Sequence, residues 1–274
     1  MSRFTSFTNP VNGGVAFVKN NRPYNEDRYC VYGTSEDVWL YMVCDGHGGQ
    51  DASTFVCNNL PRALLEAIQG ILPSDQAAVE GAVRNCFLDM QGQMAVMNRS
   101  GDMLSSFKYQ GTTAVVAIYF KVDGILMVAN VGDSRCVLAK DAVAVALSED
   151  HKPDLPRETA RIKAMGGTVD VGSGVPRVRG LAVSRSLGDL ATAVGDVYLV
   201  SPSPDITWQH VDKSCRYIIL ASDGLWDSLS SQEAVNIFET QKSVSGLVLE
   251  AVNKGSHDNI TAIVAPLWFD FKHK

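Results

Sequence analysis

Apolar runs of strand length, each closed by a polar or glycine-rich break, recur along this chain. The segments 37–44 (DVWLYMVC), 112–120 (TTAVVAIYF), 125–132 (ILMVANVG), 135–140 (RCVLAK), 216–222 (RYIILAS) and 260–267 (ITAIVAPL) favour Val, Ile, Tyr and Phe and predict β-strands. Val122-Asp123-Gly124 reads as a hairpin turn, which makes the strands on either side antiparallel. Helical spacing occupies 51–68, about 75–98, 155–165 and 230–239. In the third of these Pro156 and Glu158 fall in the first turn and Gly166-Gly167 lies past the end; in the fourth, Ser230 precedes Glu233 at capping-box spacing. Helices and strands come in blocks rather than in strict alternation, which favours antiparallel sheets with helices packed outside them.

Composition adds exclusions more than it adds a function. With 274 residues, 46% of them hydrophobic, the chain can bury a substantial core. Without a low-complexity tract, long linker or repeat, it reads as one continuous domain, 1–274. A formal net charge of -6 gives no basic surface for nucleic acid or an anionic membrane. Six scattered cysteines with no C-x-x-C pair read as reduced, core-packing thiols. The N-terminus lacks the apolar region of a signal peptide, and no stretch approaches the ~18 apolar residues of a membrane span. The expectation is a soluble, monomeric, non-secreted protein of the cytoplasm or nucleus, whose sequons at Asn98 and Asn259 carry no glycan.

The chemistry lies where the apolar runs end. Asp45 closes one run and opens the turn Asp-Gly-His-Gly-Gly, with His47 inside it; Asp223-Gly224 closes another, with Asp227 a turn later, and Asp258 precedes a third. Carboxylates at the edge of a buried layer lose hydration, and several together repel one another unless a cation offsets the charge. An all-oxygen donor set suits Mg²⁺ or Mn²⁺ better than zinc. Arg22, Glu26, Asp27 and Asp133 add a planar cation suited to phosphate and three more acids. Each residue taken alone has a plainer reading: Asp-Gly as a turn, His47 as a turn residue, Arg22 as a solvated charge, Asp27 and Asp133 as loop caps or ion-pair partners. Linear spacing does not bring the acids together.

The order of the blocks does more. RPYNED, VCDGHGG, GTTA, ANVGDSR, EDHKPDLPRETARIKAMGG, LAVSRSLGD, SPSPDI, LASDGLWD and HDN, running from Arg22 to about Thr261, resemble the metal-dependent protein phosphatases of type 2C. The resemblance implies an α+β fold, a four-layer α-β-β-α sandwich of two antiparallel sheets flanked by helices, with a cleft holding two Mg²⁺ or Mn²⁺ ions at one edge. It implies that Asp45 bridges the two ions, that Asp223 and Asp258 hold the first, and that Glu26 and the carbonyl of Gly46 hold the second. Asp27 then orients water at the metals, Arg22 binds the substrate phosphate, His47 is the general acid, and Asp133 and Asp227 join Asp223 in a weaker third site. The reaction implied is in-line attack of a hydroxide held between the ions on phosphoserine or phosphothreonine of phosphoprotein substrates. A pseudophosphatase acting as a binding module and a phosphatase of small metabolites are the rival readings. Thr112 and Thr113 read equally well as strand packing or as hydrogen-bonding partners near the site, and Arg185 and His151 read as structural. The segment LATAVGDVYLV (190–200) is shorter and less basic than the corresponding flap of relatives, and little lies before Arg22 or after the last run, so the chain reads as a bare catalytic domain.

Overall fold

The computed structural model describes residues 5–9, 13–33, 37–99, 107–172, 174–195 and 197–267. Strands β1 (Thr5–Asn9), β2 (Gly13–Val18), β3 (Arg28–Gly33), β4 (Val38–Cys44) and the two-residue β5 (Gly46–His47) precede helices α1 (Asp51–Ala67) and α2 (Gln76–Arg99). Then come β6 (Gly111–Thr112), β7 (Ala114–Phe120), β8 (Ile125–Val131), β9 (Arg135–Lys140), β10 (Val143–Ala146) and α3 (Pro156–Ala164). The short β11 (Leu187–Gly188), β12 (Ala193–Val194) and β13 (Val197–Tyr198) lead to β14 (Asp205–His210) and β15 (Cys215–Ala221). Helices α4 (Asp223–Trp226), α5 (Ser231–Gln241) and α6 (Val244–Asn253) precede β16 (Ile260–Pro266).

Two sheets carry the fold. One has the order β1-β2-β16-β15-β9-β10, the other β14-β8-β7-β4-β3, and neighbouring strands within both are antiparallel. Side chains on a strand alternate between faces, so a strand covered on both sides must be apolar at successive positions. In β7, Val116 and Ile118 pack with Leu60, Leu64 and Phe87 of α1 and α2. Val115, Ala117 and Tyr119 face Ile218, Leu220 and Ile263 of the other sheet. On the far side, Tyr217 and Ile219 meet Phe238 of α5 and Leu247 and Val248 of α6. The result is the four-layer α-β-β-α sandwich expected from the sequence. Each fully buried side chain of this kind contributes about 1.5–3 kcal/mol by leaving water.

Local signals hold at the element ends. The β7–β8 hairpin pairs Phe120 with Ile125, and Gly124 takes φ 63° in its turn. Pro156 opens α3, and Ser230 and Glu233 form a reciprocal capping box at α5. Two expectations are corrected. The chain before Arg22 supplies β1 and β2, and β2 pairs with β16 inside the six-stranded sheet, Phe17 opposite Thr261. The run from 112 to 120 is not one strand, because Thr113 leaves the ladder and donates its N–H to the Asp45 carbonyl oxygen at 2.9 Å.

A buried ionic network fixes the segment that leads from α3 towards the site. Glu158 is 1% exposed; its Oε1 accepts from Arg185 Nη2 at 2.6 Å and its Oε2 from Arg161 Nη2 at 2.8 Å. Arg185 continues to Asp205 Oδ1 at 2.7 Å, and His151 reaches Asp205 Oδ2 at 3.1 Å. Burial pushes the Glu158 carboxyl up, but the two guanidinium groups outweigh it and hold the pKa down to about 2. Arg185 and His151 thus have the structural partners foreseen for them. Glu158→Ala leaves Arg185 buried beside a lost partner and is expected to destabilise the fold by about 3–5 kcal/mol, read as the shift of a urea unfolding midpoint. A loss below about 1 kcal/mol would show that the network relaxes into solvent.

Candidate metal centre and active site

Asp45 follows directly on β4, and two threonines clamp its backbone. Its N–H donates to Thr113 Oγ1 at 3.0 Å, while its carbonyl oxygen accepts from Thr112 Oγ1 at 3.0 Å as well as from the Thr113 N–H. Thr113 Oγ1 is itself 2.7 Å from Ser134 Oγ. Both threonines therefore do more than pack in a strand. The next residue must be glycine for steric reasons: a Cβ on Gly46 would sit 2.5 Å from the Glu26 carbonyl oxygen and 2.7 Å from Ser53 Oγ. Ser53 donates to that same carbonyl at 2.5 Å, which draws the loop of Glu26 and Asp27 against Asp45.

Asn259 pins the other side of that loop. Its Oδ1 accepts from the Glu26 N–H at 2.9 Å, and its Nδ2 donates to the carbonyl oxygens of Lys19 at 2.8 Å and Tyr24 at 3.0 Å. Asp27 is 4% exposed; its Oδ2 accepts from Ser222 Oγ at 2.8 Å, and its Oδ1 is buried without a hydrogen-bond partner among the described residues. Asp223 opens α4, where Gly224 lets the helix lie against the Asn259 carbonyl oxygen. Ser53 and Ser222 were not singled out from sequence, and Asn259 was read there only as a sequon. For Asn259 the signal was a polar side chain wedged between an acid and an apolar strand.

Asp27, Asp45 and Asp223 lie near enough to one another for their charges to interact. Desolvation, then the neighbouring negative charges, push Asp45 well above the usual carboxylate range. Burial raises Asp27 to about 6, and burial with the charges of Asp133, Asp227 and Asp258 raises Asp223 to about 7. Asp227 is raised in the same direction, chiefly by desolvation. Glu26 lies near enough to act electrostatically on His47.

Two acids already have internal cations. Arg22 Nη2 is 2.5 Å from Asp258 Oδ2, with both side chains substantially exposed, and Lys152 Nζ bonds Asp133 Oδ2, whose side chain is buried. Burial lowers the pKa of His47, but the hydrogen bond and charge of Asp189 outweigh that and raise it. A cavity of about 540 Å³ lined by Val38, Leu65, Ile71 and Phe120 is separate from these acids, because Val38 and Phe120 lie at the opposite ends of β4 and β7 from Asp45. The six cysteines are free thiols, as foreseen, and no helix of the described residues is long and apolar enough to cross a membrane.

The residues suit a hard divalent cation. The donors are oxygens, one buried carboxylate oxygen of Asp27 lacks a partner, and the acids are held at raised pKa values that a cation would relieve. Among the described residues no three acid, His or Cys side chains stand close enough together to form a coordination group.

The protein phosphatase 2C family model matches residues 13–260, and the chain belongs to that family. It is 37% identical over 268 residues to bovine protein phosphatase 1L, covering 92% of this chain and 71% of that protein. It is 36% identical over 256 residues to probable protein phosphatase 2C 32 of Oryza sativa subsp. japonica, covering 88% of this chain but spanning 62% of the rice protein. Two solved structures share the fold at 24% identity. The serine-threonine phosphatase 2C of Toxoplasma gondii has a TM-score of 0.78, covering 98% of this chain and 99% of that one. A sex determining protein of C. elegans has a TM-score of 0.82, covering 93% of this chain and 64% of that one.

Asp27 and Asp223 titrate higher folded than the ordinary ~3.9 of an unfolded Asp, so the folded state binds more protons between those values and loses stability as pH rises through them. The melting temperature of the chelated protein is therefore expected to fall from about pH 5 to about pH 8. Asp223→Asn should flatten that fall, and added Mn²⁺ should raise the melting temperature most at the upper end. A melting temperature indifferent to Mn²⁺ at every pH would remove the metal centre.

Proposed function

We propose that this chain is a metal-dependent protein serine/threonine phosphatase that hydrolyses phosphoserine and phosphothreonine monoesters of phosphoproteins. The observation that supports it most is the meeting of Asp27, Asp45 and Asp223, from three separate segments, at raised pKa beside Arg22 and His47. On this reading Asp45, Asp223, Asp258, Glu26 and the Gly46 carbonyl oxygen would hold two divalent cations. Asp133 and Asp227, with Asp223, would hold a third more weakly. Divalent cations held there lower the pKa of water and neutralise charge that develops on the phosphoryl oxygens.

The chain's own groups do the rest. Arg22 offers its planar fork to the phosphate, and its exposed pairing with Asp258 is weak enough to be shared. Asp27, with one oxygen fixed by Ser222 and the other unpartnered, orients the attacking water. His47 stands in the turn after Asp45 and donates a proton to the departing serine or threonine oxygen. The binding-module reading has no support, because Glu26, Asp45, Asp223 and Asp258 all stand and the curated relatives are named as phosphatases.

The test is hydrolysis of a phosphothreonine peptide by chelated protein before and after Mn²⁺ or Mg²⁺ is restored. Activity should vanish with chelation and return with metal, and Asp45→Asn should lower kcat at least 10²-fold, roughly the share that positioned charge contributes. Undiminished turnover in Asp45→Asn would sink the two-ion assignment. His47→Gln is expected to lower kcat about 10²-fold on the peptide and far less on nitrophenyl phosphate, whose leaving group needs no proton. Arg22→Ala should raise KM more than it lowers kcat; an unchanged KM returns Arg22 to the role of a surface charge.

A further inference from the structure

His47 has a single side-chain partner among the described residues, and it lies outside the acid cluster. His47 Nε2 is 2.8 Å from Asp189 Oδ2, and the Asp189 side chain is 2% exposed. The chain holds this carboxylate firmly. Its Oδ2 also accepts from Ser186 Oγ at 2.5 Å, and its backbone N–H donates to the Gln110 carbonyl oxygen at 3.0 Å. The Asp189 carbonyl accepts from Thr192 through both N–H at 2.9 Å and Oγ1 at 2.8 Å. Asp189 takes φ 47°, a left-handed conformation that Asp and Asn tolerate better than most residues.

The three-stranded sheet β11-β6-β5 makes the contact possible. Gly111 pairs with His47 on one side and with Gly188 on the other, which sets Asp189 beside the imidazole. A Cβ on Gly111 would lie 2.5 Å from both Asp189 Cγ and His47 Nε2, so the absence of a side chain there leaves the space in which the two meet. Gln91 locks the neighbouring strand, donating to the Gly188 carbonyl at 2.9 Å and accepting from its N–H at 2.7 Å. Three elements distant in sequence thus converge on one hydrogen bond.

We infer that Asp189 is the positioning residue of His47: by accepting the Nε2 hydrogen it fixes the ring and its tautomer, and leaves Nδ1 to carry the proton that is transferred. This rests on the reading of His47 as proton donor. As the ester P–O bond breaks, its electron pair stays on the serine or threonine oxygen, which takes the Nδ1 proton. The attacking water contributes its oxygen to phosphorus and a proton that restores Nδ1, while the Nε2 hydrogen stays on the ring, hydrogen-bonded to Asp189 throughout. A buried carboxylate that orders an imidazole in this way acts through the ring and does not touch the substrate.

The experiment is steady-state kinetics of Asp189→Asn, His47→Gln and the double variant on a phosphothreonine peptide and on nitrophenyl phosphate, with Mn²⁺. Asn keeps the left-handed backbone. Asp189→Asn is expected to lower kcat on the peptide roughly 10–100-fold and on nitrophenyl phosphate less than about 3-fold. In the His47→Gln background it should add less than about 3-fold, because both changes remove one function. Equal slowing of both substrates, or a full additional loss in the double variant, makes Asp189 merely structural and overturns the inference while His47 keeps its role. If His47→Gln itself slows both substrates equally, the proton-donor reading fails and the inference falls with it. Should Asp189→Asn not fold, Ser186→Ala decides: a severalfold loss on the peptide alone supports the inference, and no selective loss overturns it.

Discussion

Mutual repulsion among carboxylates at the edge of a dry sandwich is the constraint on which this structure turns. Asp45 comes from the end of the five-stranded sheet, Asp223 and Asp258 from either side of the β15–β16 pair in the other, and Asp27 from the loop that enters β3. Asp27 is buried and Asp45 and Asp223 are partly so, so solvent screens their charges less than that of the more exposed Asp258. Proton or cation must offset that repulsion for the edge to close. Within the proposed function, folding of this edge and binding of a cation would be one equilibrium, with the apolar strands behind the acids keeping them from moving apart.

Small residues and hydroxyls make the convergence geometrically possible. Gly46, Gly224 and Gly111 stand where a methyl group would strike the Glu26 carbonyl, the Asn259 carbonyl and the His47–Asp189 pair. Thr112, Thr113, Ser53, Ser222 and Asn259 satisfy the backbone and carboxylate groups brought together there. Neutral donors suit this task, since they hold loops at short distances without adding charge to a site already crowded with it.

What the sequence disclosed follows from where physics leaves a local trace. Strands covered on both faces, such as β7 and β15, stand out as continuous apolar runs, and the Ser230–Glu233 box and Pro156 mark their helices directly. β14 at a sheet edge alternates polar and apolar residues, and β2 begins with two glycines, so neither run announces itself. The acids were legible as residue types at strand ends, but their meeting depends on pairings such as Phe17 with Thr261 that no local pattern encodes. Asp189 is the clearest case. In the sequence it is only the last residue of LAVSRSLGD, and 142 positions separate it from the imidazole it touches.

The two internal cations rank the acids. Arg22 and Asp258 pair with side chains 56% and 36% exposed, where an ion pair contributes roughly 0–1 kcal/mol, so phosphate or a divalent ion can draw either partner away at little cost. Lys152 and Asp133 pair with side chains 35% and 4% exposed, and separating them leaves a buried carboxylate without its counter-charge. Within the proposed function, a cation held at Asp45 would displace protons from acids that burial and neighbouring charges hold protonated, whereas a cation held at Asp133 would first have to displace an ammonium group. On that reading the electrostatics that would favour two ions at the sandwich edge would make a third the weakest.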